Sequence, residues 1–410
     1  MDGYGKFLAG LMAFCAAFGG HAAQARAAWP PLEDLLKRSG DRALGALDAR
    51  AQLRVAAASR VGAGVPAIGN PYVELQATRG APTRDVAFTL FAATPIEVSG
   101  QRGTRLEESE ALVRWRASAE AEARARVAVE VILRYGAAGI AVERAAQFER
   151  ACVDAASEVE LYSARLAAGD ATAVDRSLAE AELGRYTQAL AEARLSLASA
   201  RLDLEVLSGG ALGEGRPAST DPPALRSKDA AAFEARALSN SPALRALAGE
   251  AKYWEASRRR ATAEGFAPLG LIINTTRSDG GDMSVGGGLA WTFPMTQRNQ
   301  GPMAIAEAAR DRAEELRGAS EPVAARQARG LFASLSMARD ALAAVDAAAL
   351  PAAERLVAAI LAAAKAGKTE YLHVLQARRD LASARARRLD LAETAWHIYA
   401  QMAALTGELP

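Results

Sequence analysis

The chain is short of several things that common protein classes need. Among its 410 residues are two cysteines and three histidines. Cys15 and His21 fall in the N-terminal leader considered below, which leaves Cys152 by itself. A single cysteine closes no internal disulfide. With no cysteine or histidine near it in sequence, Cys152 reads as a small hydrophobe on a helix. The remaining histidines, His373 and His397, lie on one expected helix. No Ser/His/Asp or Cys/His constellation and no Cys/His metal cage can be assembled from them. Aromatic residues are 6% of the chain, too few for the bulky core of a globular enzyme. Lys and Arg number 49 against 48 Asp and Glu, so no field of one sign exists to hold nucleic acid. After the leader no stretch of about 18 uninterrupted apolar residues occurs, and no transmembrane helix is expected. If the chain crosses a membrane, it crosses as strands. Neither a cofactor nor an enzymatic reaction is expected.

The first residues have the layout of a secretory signal. Lys6 precedes an apolar run from Phe7 to Phe18, followed by the overlapping cleavage patterns Ala23-Gln24-Ala25 and Ala25-Arg26-Ala27. Residues 1–27 are therefore expected to be removed. Phe14 before Cys15 is too bulky for a lipidation signal, so Cys15 is expected to be discarded with the leader.

What the chain does have is repetition. Leu207-Ser208-Gly209 recurs as Leu405-Thr406-Gly407, 198 residues later; Gly169 recurs as Gly367, Leu183 as Leu381 and Gly103 as Gly301 at the same offset. Upstream the match drifts by a residue or two: Thr94-Pro95-Ile96 answers to Phe293-Pro294-Met295, and Asn70-Pro71-Tyr72 to Ala267-Pro268-Leu269. The expected division is a first repeat over 28–208, a Gly/Pro/Ser-rich linker over 209–228, and a second repeat over 229–410. Each repeat reads as a leading helix, two strands, a long helix, a tight turn and a further helix.

The leading helices are expected over Leu32 to Ala63 and Asp229 to Glu264. The strands are expected at about 71–96 and 268–294, where apolar residues alternate with small or polar ones. Val73, Leu75 and Ala77 oppose Glu74, Gln76 and Thr78; Val285, Leu289 and Trp291 oppose Ser284, Gly288 and Ala290. Period two with one apolar face suits a strand between lipid and a wet lumen. The helix after the first hairpin should run from about Thr104 to Ala168 without a proline, roughly 95 Å at 1.5 Å per residue. Its counterpart, from about Met303, should be broken by Pro322 and bent near Pro351. The run Arg258-Arg259-Arg260 reads as a solvated helix face in preference to a contact with lipopolysaccharide.

Four strands cannot close a barrel, and an open sheet edge cannot sit in lipid, where every backbone N–H and C=O needs a partner. Several copies must pool their strands, although the residues do not give the number.

At its duplicated motifs the chain resembles the TolC family of outer-membrane efflux proteins, and most closely its cobalt–zinc–cadmium branch. The residues that carry the resemblance follow the strands, in Pro95-Ile96-Glu97-Val98-Ser99-Gly100-Gln101-Arg102-Gly103-Thr104-Arg105 and Phe293-Pro294-Met295-Thr296-Gln297-Arg298-Asn299-Gln300-Gly301. A third phrase, Arg165-Leu166-Ala167-Ala168-Gly169, is similar to the family's hairpin tip. The resemblance implies a mainly α fold with a small transmembrane β part. It implies a homotrimer with a twelve-strand β-barrel in the Gram-negative outer membrane and a twelve-helix, coiled-coil-like barrel in the periplasm. It implies a passive conduit, fed through a periplasmic adaptor by an inner-membrane pump of the resistance–nodulation–division type, with metal cations as cargo. A drug efflux system or a type I protein secretion system remains the alternative. The chain ends at Pro410, so a collar built from a longer C-terminus is not expected. By the same resemblance, Arg165, Leu166, Gly169 and Asp170, with Lys365, Gly367, Lys368 and Thr369, would meet the adaptor. Asp175, His373 and Gln376 would ring the periplasmic constriction, where a histidine could also bind a soft cation transiently.

Overall fold

A computed structural model describes residues 29–66, 69–80, 86–213, 215, 217, 219–227 and 229–408. The leader with Cys15 and most of the turn between the first two strands lie outside the described residues. In chain order the elements are α1 (Leu32–Arg42), α2 (Leu44–Ala63), β1 (Tyr72–Arg79), β2 (Val86–Ile96), α3 (Gln101–Ala167), α4 (Ala173–Ser208), α5 (Ala230–Asn240), α6 (Pro242–Glu264), β3 (Leu269–Arg277), β4 (Met283–Trp291), α7 (Gln300–Ala344), a π turn (Val345–Ala349), α8 (Leu350–Lys365) and α9 (Tyr371–Thr406). The fold is mainly helical, with one small antiparallel sheet in the order β1-β2-β3-β4.

The register of that sheet keeps the alternation of each strand in phase across all four. Leu75 stands opposite Leu90, Leu90 opposite Thr275 and Thr275 opposite Val285; Val73, Ala92, Ile273 and Gly287 form the next row, and Leu271 faces Leu289. On the other face the rows are Gln76, Thr89, Thr276 and Ser284, then Glu74, Phe91, Asn274 and Gly286. Opposed residues share a face, so one side of the sheet is predominantly apolar and the other mostly small or polar. The apolar side is bare: Val73, Leu75, Val285 and Leu289 are each about 70% exposed. A one-residue slip in any strand would mix the two faces.

The phrases that follow the strands fold as joints between sheet and helix. Gly100 (φ 77°) and Asn299 (φ 59°) are left-handed residues that open α3 and α7. The next residue, Gln101 or Gln300, accepts a hydrogen bond from the backbone N–H two positions back, at Ser99 (3.0 Å) or Arg298 (2.8 Å). The joints are then sewn to the end of α6. Ser99 donates to the Ala263 carbonyl, Gln101 to that of Phe266 and Asn299 to that of Ala261. This geometry corrects one repeat assignment: Gln101 matches Gln300, so the helix starts are 199 residues apart and Gly103 is not the counterpart of Gly301.

The leading helices are not continuous as expected. The first is interrupted at Ala43, whose ψ of 137° is extended, and the second at Ser241. For Ser241 the cause is legible: Pro242 disfavours a helical residue before it, and the serine side chain caps the Leu244 N–H instead. These breaks receive the last glycines of each repeat. A Cβ at Gly209 (φ 64°) would lie 2.9 Å from Arg42, and one at Gly407 (φ 69°) 2.6 Å from Pro242. Left-handed backbone and close approach together explain why the Leu-x-Gly ending recurs.

The expected break at Pro322 is absent, and α7 runs through it. That part of the helix is exposed, so water can take the carbonyl that the proline leaves unpaired. The irregularity lies instead at the π turn before Pro351. The expectation about apolar helices also needs correction. Gln300–Lys365 contains an 18-residue window with a mean hydropathy of 1.6, enough by length and composition alone to cross a bilayer, yet only 11% of it is buried.

The long helices pack side by side, α3 against α4 and α6, and α9 against α3, α7 and α8. Their apolar contacts form a large upper core around Ile132, Phe233, Leu335, Trp396 and Tyr399. Smaller clusters lie towards the hairpin tips, around Tyr162, Tyr371 and Val374, and around Val357 and Leu381. Arg259 and Arg260 are tied across helices to Glu107 and Glu108, so the arginine run joins α6 to α3.

Candidate functional site: the hairpin tips

Both long hairpins reverse by the same local chemistry. After α3, Gly169 takes φ 81°, its N–H bonds to the Leu166 carbonyl and that of Asp170 to the Arg165 carbonyl. After α8, Gly367 takes φ 71°, with the matching bonds from Gly367 to Ala364 and from Lys368 to Ala363. This paired-bond cap with a left-handed glycine satisfies the last carbonyls of each helix.

The two tips are tied together by Arg165. Its guanidinium donates to the Ala364 carbonyl at the end of α8 (3.0 Å) and to the Asp170 carbonyl (3.1 Å), and it sits over the Tyr162 ring. A cation at these carbonyl ends also complements the helix dipoles. A cleft of about 520 Å³ lies between the tips, lined in part by Arg165, Gly169, Asp170, Asp175, Gly367, Lys368 and Thr369. Leu166, Lys365, His373 and Gln376 are not among its lining residues; the last three are exposed side chains beyond it.

The next helices begin differently. Thr172 and Asp175 form a reciprocal cap at the start of α4. Thr172 Oγ1 accepts the Asp175 N–H (3.1 Å), and Asp175 Oδ2 accepts both the Thr172 N–H (3.0 Å) and the hydroxyl (2.7 Å). At the start of α9 the corresponding residues are Glu370 and His373, and no side chain caps the helix. His373 Nδ1 lies 3.3 Å from the Thr369 hydroxyl instead.

Above the tips lies a charged network that the sequence did not disclose. Glu158 on α3 is 6% exposed. It accepts from the Tyr371 hydroxyl (3.3 Å) and from Arg378 Nε (2.9 Å), while Arg378 NH1 reaches Asp154 (2.6 Å). Glu182 on α4, 3% exposed, is held by Arg185 of its own helix and by Arg379 of α9 at 3.0 Å. Burial pushes Glu158 above the ordinary carboxylate value, against the pull of Arg378. For Glu182 burial acts in the same direction, but the hydrogen bonds and charges of Arg185 and Arg379 outweigh it, and the net shift is downward. Burial and the neighbouring Glu158 also raise the Tyr371 hydroxyl. The only sequence signals were Asp154 and Glu158 one helical turn apart and the adjacent pair Arg378-Arg379. Neither names a partner on another helix. Among the described residues no group of three or more His, Cys, Asp or Glu side chains could hold a metal ion.

Residues 234–408 match the family model described as outer membrane efflux protein. The chain is 29% identical over 296 residues to the cobalt-zinc-cadmium resistance protein CzcC of Cupriavidus metallidurans, covering 72% of this chain and 71% of that protein. Among solved structures, a membrane protein from Pseudomonas aeruginosa superposes with a TM-score of 0.75 at 19% identity, covering 94% of this chain and 98% of that one. The transmembrane channel protein CusC does so with a TM-score of 0.73 at 15% identity, over 92% and 91%. At these identities the two structures establish the fold.

Proposed function

We propose that the chain is a member of the outer membrane efflux protein family, whose model its residues 234–408 match, and that it is a passive duct for metal cations. It is an outer-membrane efflux channel, with its helical part in the periplasm, and it is not an enzyme. In the proposed assembly three copies pool their sheets into one barrel and their hairpins into one tunnel. An inner-membrane pump of the resistance–nodulation–division type supplies the cargo through a periplasmic adaptor.

The observation that carries this reading is the sheet. One face is predominantly apolar and bare, the other is mostly small or polar, and among the described residues the edge strands β1 and β4 pair with no further strand. Such a sheet is stable in lipid only when neighbouring copies complete it. The metal cargo is supported by the likeness to a cobalt–zinc–cadmium resistance protein over about seven-tenths of the chain. A duct moves its cargo without holding it tightly, so it needs no cage of metal ligands.

At the tips, the exposed Lys365 and Lys368, the Leu166 edge and the Gly169 and Gly367 turns are the proposed adaptor contacts, with Arg165, Asp170 and Thr369 shaping the cleft between them. Asp175, His373 and Gln376 are the proposed constriction.

Two measurements test this. In a bacterium lacking its own duct but keeping pump and adaptor, the chain should restore growth on zinc, cobalt or cadmium. Restored tolerance to drugs alone would point to a drug exporter. In a planar bilayer, Asp175→Ala or His373→Ala should raise the resting conductance, and unchanged conductance in both would remove them from the constriction.

A further inference from the structure

The long helices of the two repeats differ in one place. α3 is continuous for 67 residues, whereas its counterpart passes from α7 to α8 through the π turn Val345–Ala349. There the Leu350 N–H reaches back five residues to the Val345 carbonyl. Pro351, one residue on, explains the turn: it has no N–H for the Ala347 carbonyl, and its ring crowds that group. One wide turn relieves both problems at the cost of a locally weaker helix.

The apolar core is also divided at this level. The buried members of the upper core extend to Leu342 on α7 and Leu389 on α9; those of the lower cluster begin at Val357 on α8 and Leu381 on α9, with only the partly buried Leu350 and Ala353 packed on it nearer the turn. No residue of the π turn is itself buried.

Arg388 of α9 sits at this seam and binds two other segments with one guanidinium. Nε donates to Asp346 Oδ1 in the π turn (2.9 Å), and NH2 to Asp346 Oδ2 (3.3 Å) and Asp221 Oδ2 (2.9 Å). NH1 donates to the Thr220 hydroxyl (2.9 Å). Thr220 and Asp221 belong to the inter-repeat segment, which is itself strapped to the upper bundle. Trp396 Nε1 donates to the Thr220 carbonyl (2.8 Å), Arg339 to that of Pro223 (2.6 Å), and Pro217 lies close over Gly139 of α3. The position 198 residues before Arg388 is Leu190, so the first repeat has no such guanidinium.

We propose that the π turn is the hinge of the second hairpin and that Arg388 sets its resting angle by clamping the turn to the inter-repeat strap. Two packed helices can bend together only if one of them changes length along the other. α9 has no break, so α8 must supply the change, and the wide turn is where its backbone can take it up. While Arg388 holds Asp346 against Asp221, the lower hairpin is fixed to the strapped upper bundle. When the clamp is released the hairpin swings and the periplasmic end widens. Arg388 is thus a positioning residue that acts on the aperture from a distance. The inference rests on the channel reading above.

The test is single-channel recording of the purified full-length protein in planar bilayers, alongside its heat-sensitive assembly on gels. Arg388→Gln, Asp346→Asn and Asp221→Asn should each raise resting open probability by about fivefold or more. The double variant R388Q/D346N should add nothing beyond R388Q, and Arg388→Lys should restore part of the closed state. Intact assembly with unchanged open probability in all three single variants would overturn the hinge. Should Arg388→Gln fail to assemble, Asp221→Asn, on the half-exposed strap, decides between the same two outcomes. A wild-type protein that neither assembles nor conducts would overturn the channel reading instead, so the two failures are distinguishable.

Discussion

The two repeats share an element order and differ in how they are held. The first long helix is unbroken, and the helix after its tip opens with a reciprocal Thr172–Asp175 cap. The second is interrupted by a π turn, and the helix after its tip opens with Glu370 and His373 and no side-chain cap. The first hairpin thus has a continuous long helix, and the second has a built-in irregularity. The ties between them, Arg378 to Glu158, Arg379 to Glu182 and Arg165 to the end of α8, all run from one repeat to the other. A copied unit can keep its topology while its capping residues and prolines diverge, because topology depends on pattern and stiffness on single residues.

The largest effect should come from breaking a tie between the repeats. Arg378→Ala leaves the buried Glu158 carboxylate without its counter-charge and with only the Tyr371 hydroxyl as donor, and should lower unfolding stability by about 3 kcal/mol. Arg185→Ala, whose side chain is half exposed and which leaves Arg379 on Glu182, should cost under about 1 kcal/mol. Denaturant titration of the detergent-solubilised protein checks both; equal costs would mean the network is not buried as described.

Next come the glycines that end each repeat. Both have positive φ, but a Cβ at Gly407 meets the rigid Pro242 ring, whereas one at Gly209 meets the flexible Arg42 side chain. Gly407→Ala should cost about 2–3 kcal/mol and Gly209→Ala about 1 kcal/mol in the same titration. A reversed order would contradict the close approach at Pro242.

Smaller still is the cap. Thr172→Ala should cost about 1 kcal/mol, and the pair Glu370→Thr with His373→Asp, which copies the first repeat's cap into the second, should gain about 0.5–1 kcal/mol. Thermal midpoints followed by circular dichroism would read both changes.

The smallest effect lies in pH. The folded-state value of Glu182 is depressed, so its stabilisation is present at neutral pH and is lost as pH falls through that depressed value. That of Glu158 is raised, so its contribution is full below the ordinary glutamate value and declines as pH rises through the raised one. Glu182→Gln should flatten the acid limb of the midpoint–pH curve, and Glu158→Gln the decline above it.

The strands were legible because alternation in a strand is local: Val73, Leu75 and Ala77 announce a face without reference to anything distant. The tip glycines were legible for the same reason. The Glu158–Tyr371–Arg378 network was not, because its partners are more than 200 residues apart and nothing in either segment names the other. The break at Ala43 carries no turn residue, so it too was silent. Pro322 misled in the other direction, since a proline breaks a helix only where its lost hydrogen bond has no substitute. The repeat offset was legible at the tips, yet one residue out at the helix starts. There Gly103 and Gly301 coincide in letter, while the chain superposes Gly100 on Asn299 and Gln101 on Gln300.

The central claim is that this chain is one share of a common barrel. The most direct test is the mass of the detergent-solubilised protein taken from the outer-membrane fraction, run on a gel before and after boiling. The expected result is a species of about three chains that collapses to one on heating, as a closed barrel of shared strands should. A monomer that stays in water without detergent would contradict it, because the bare apolar face of the sheet and its two open edges would then be left without a partner.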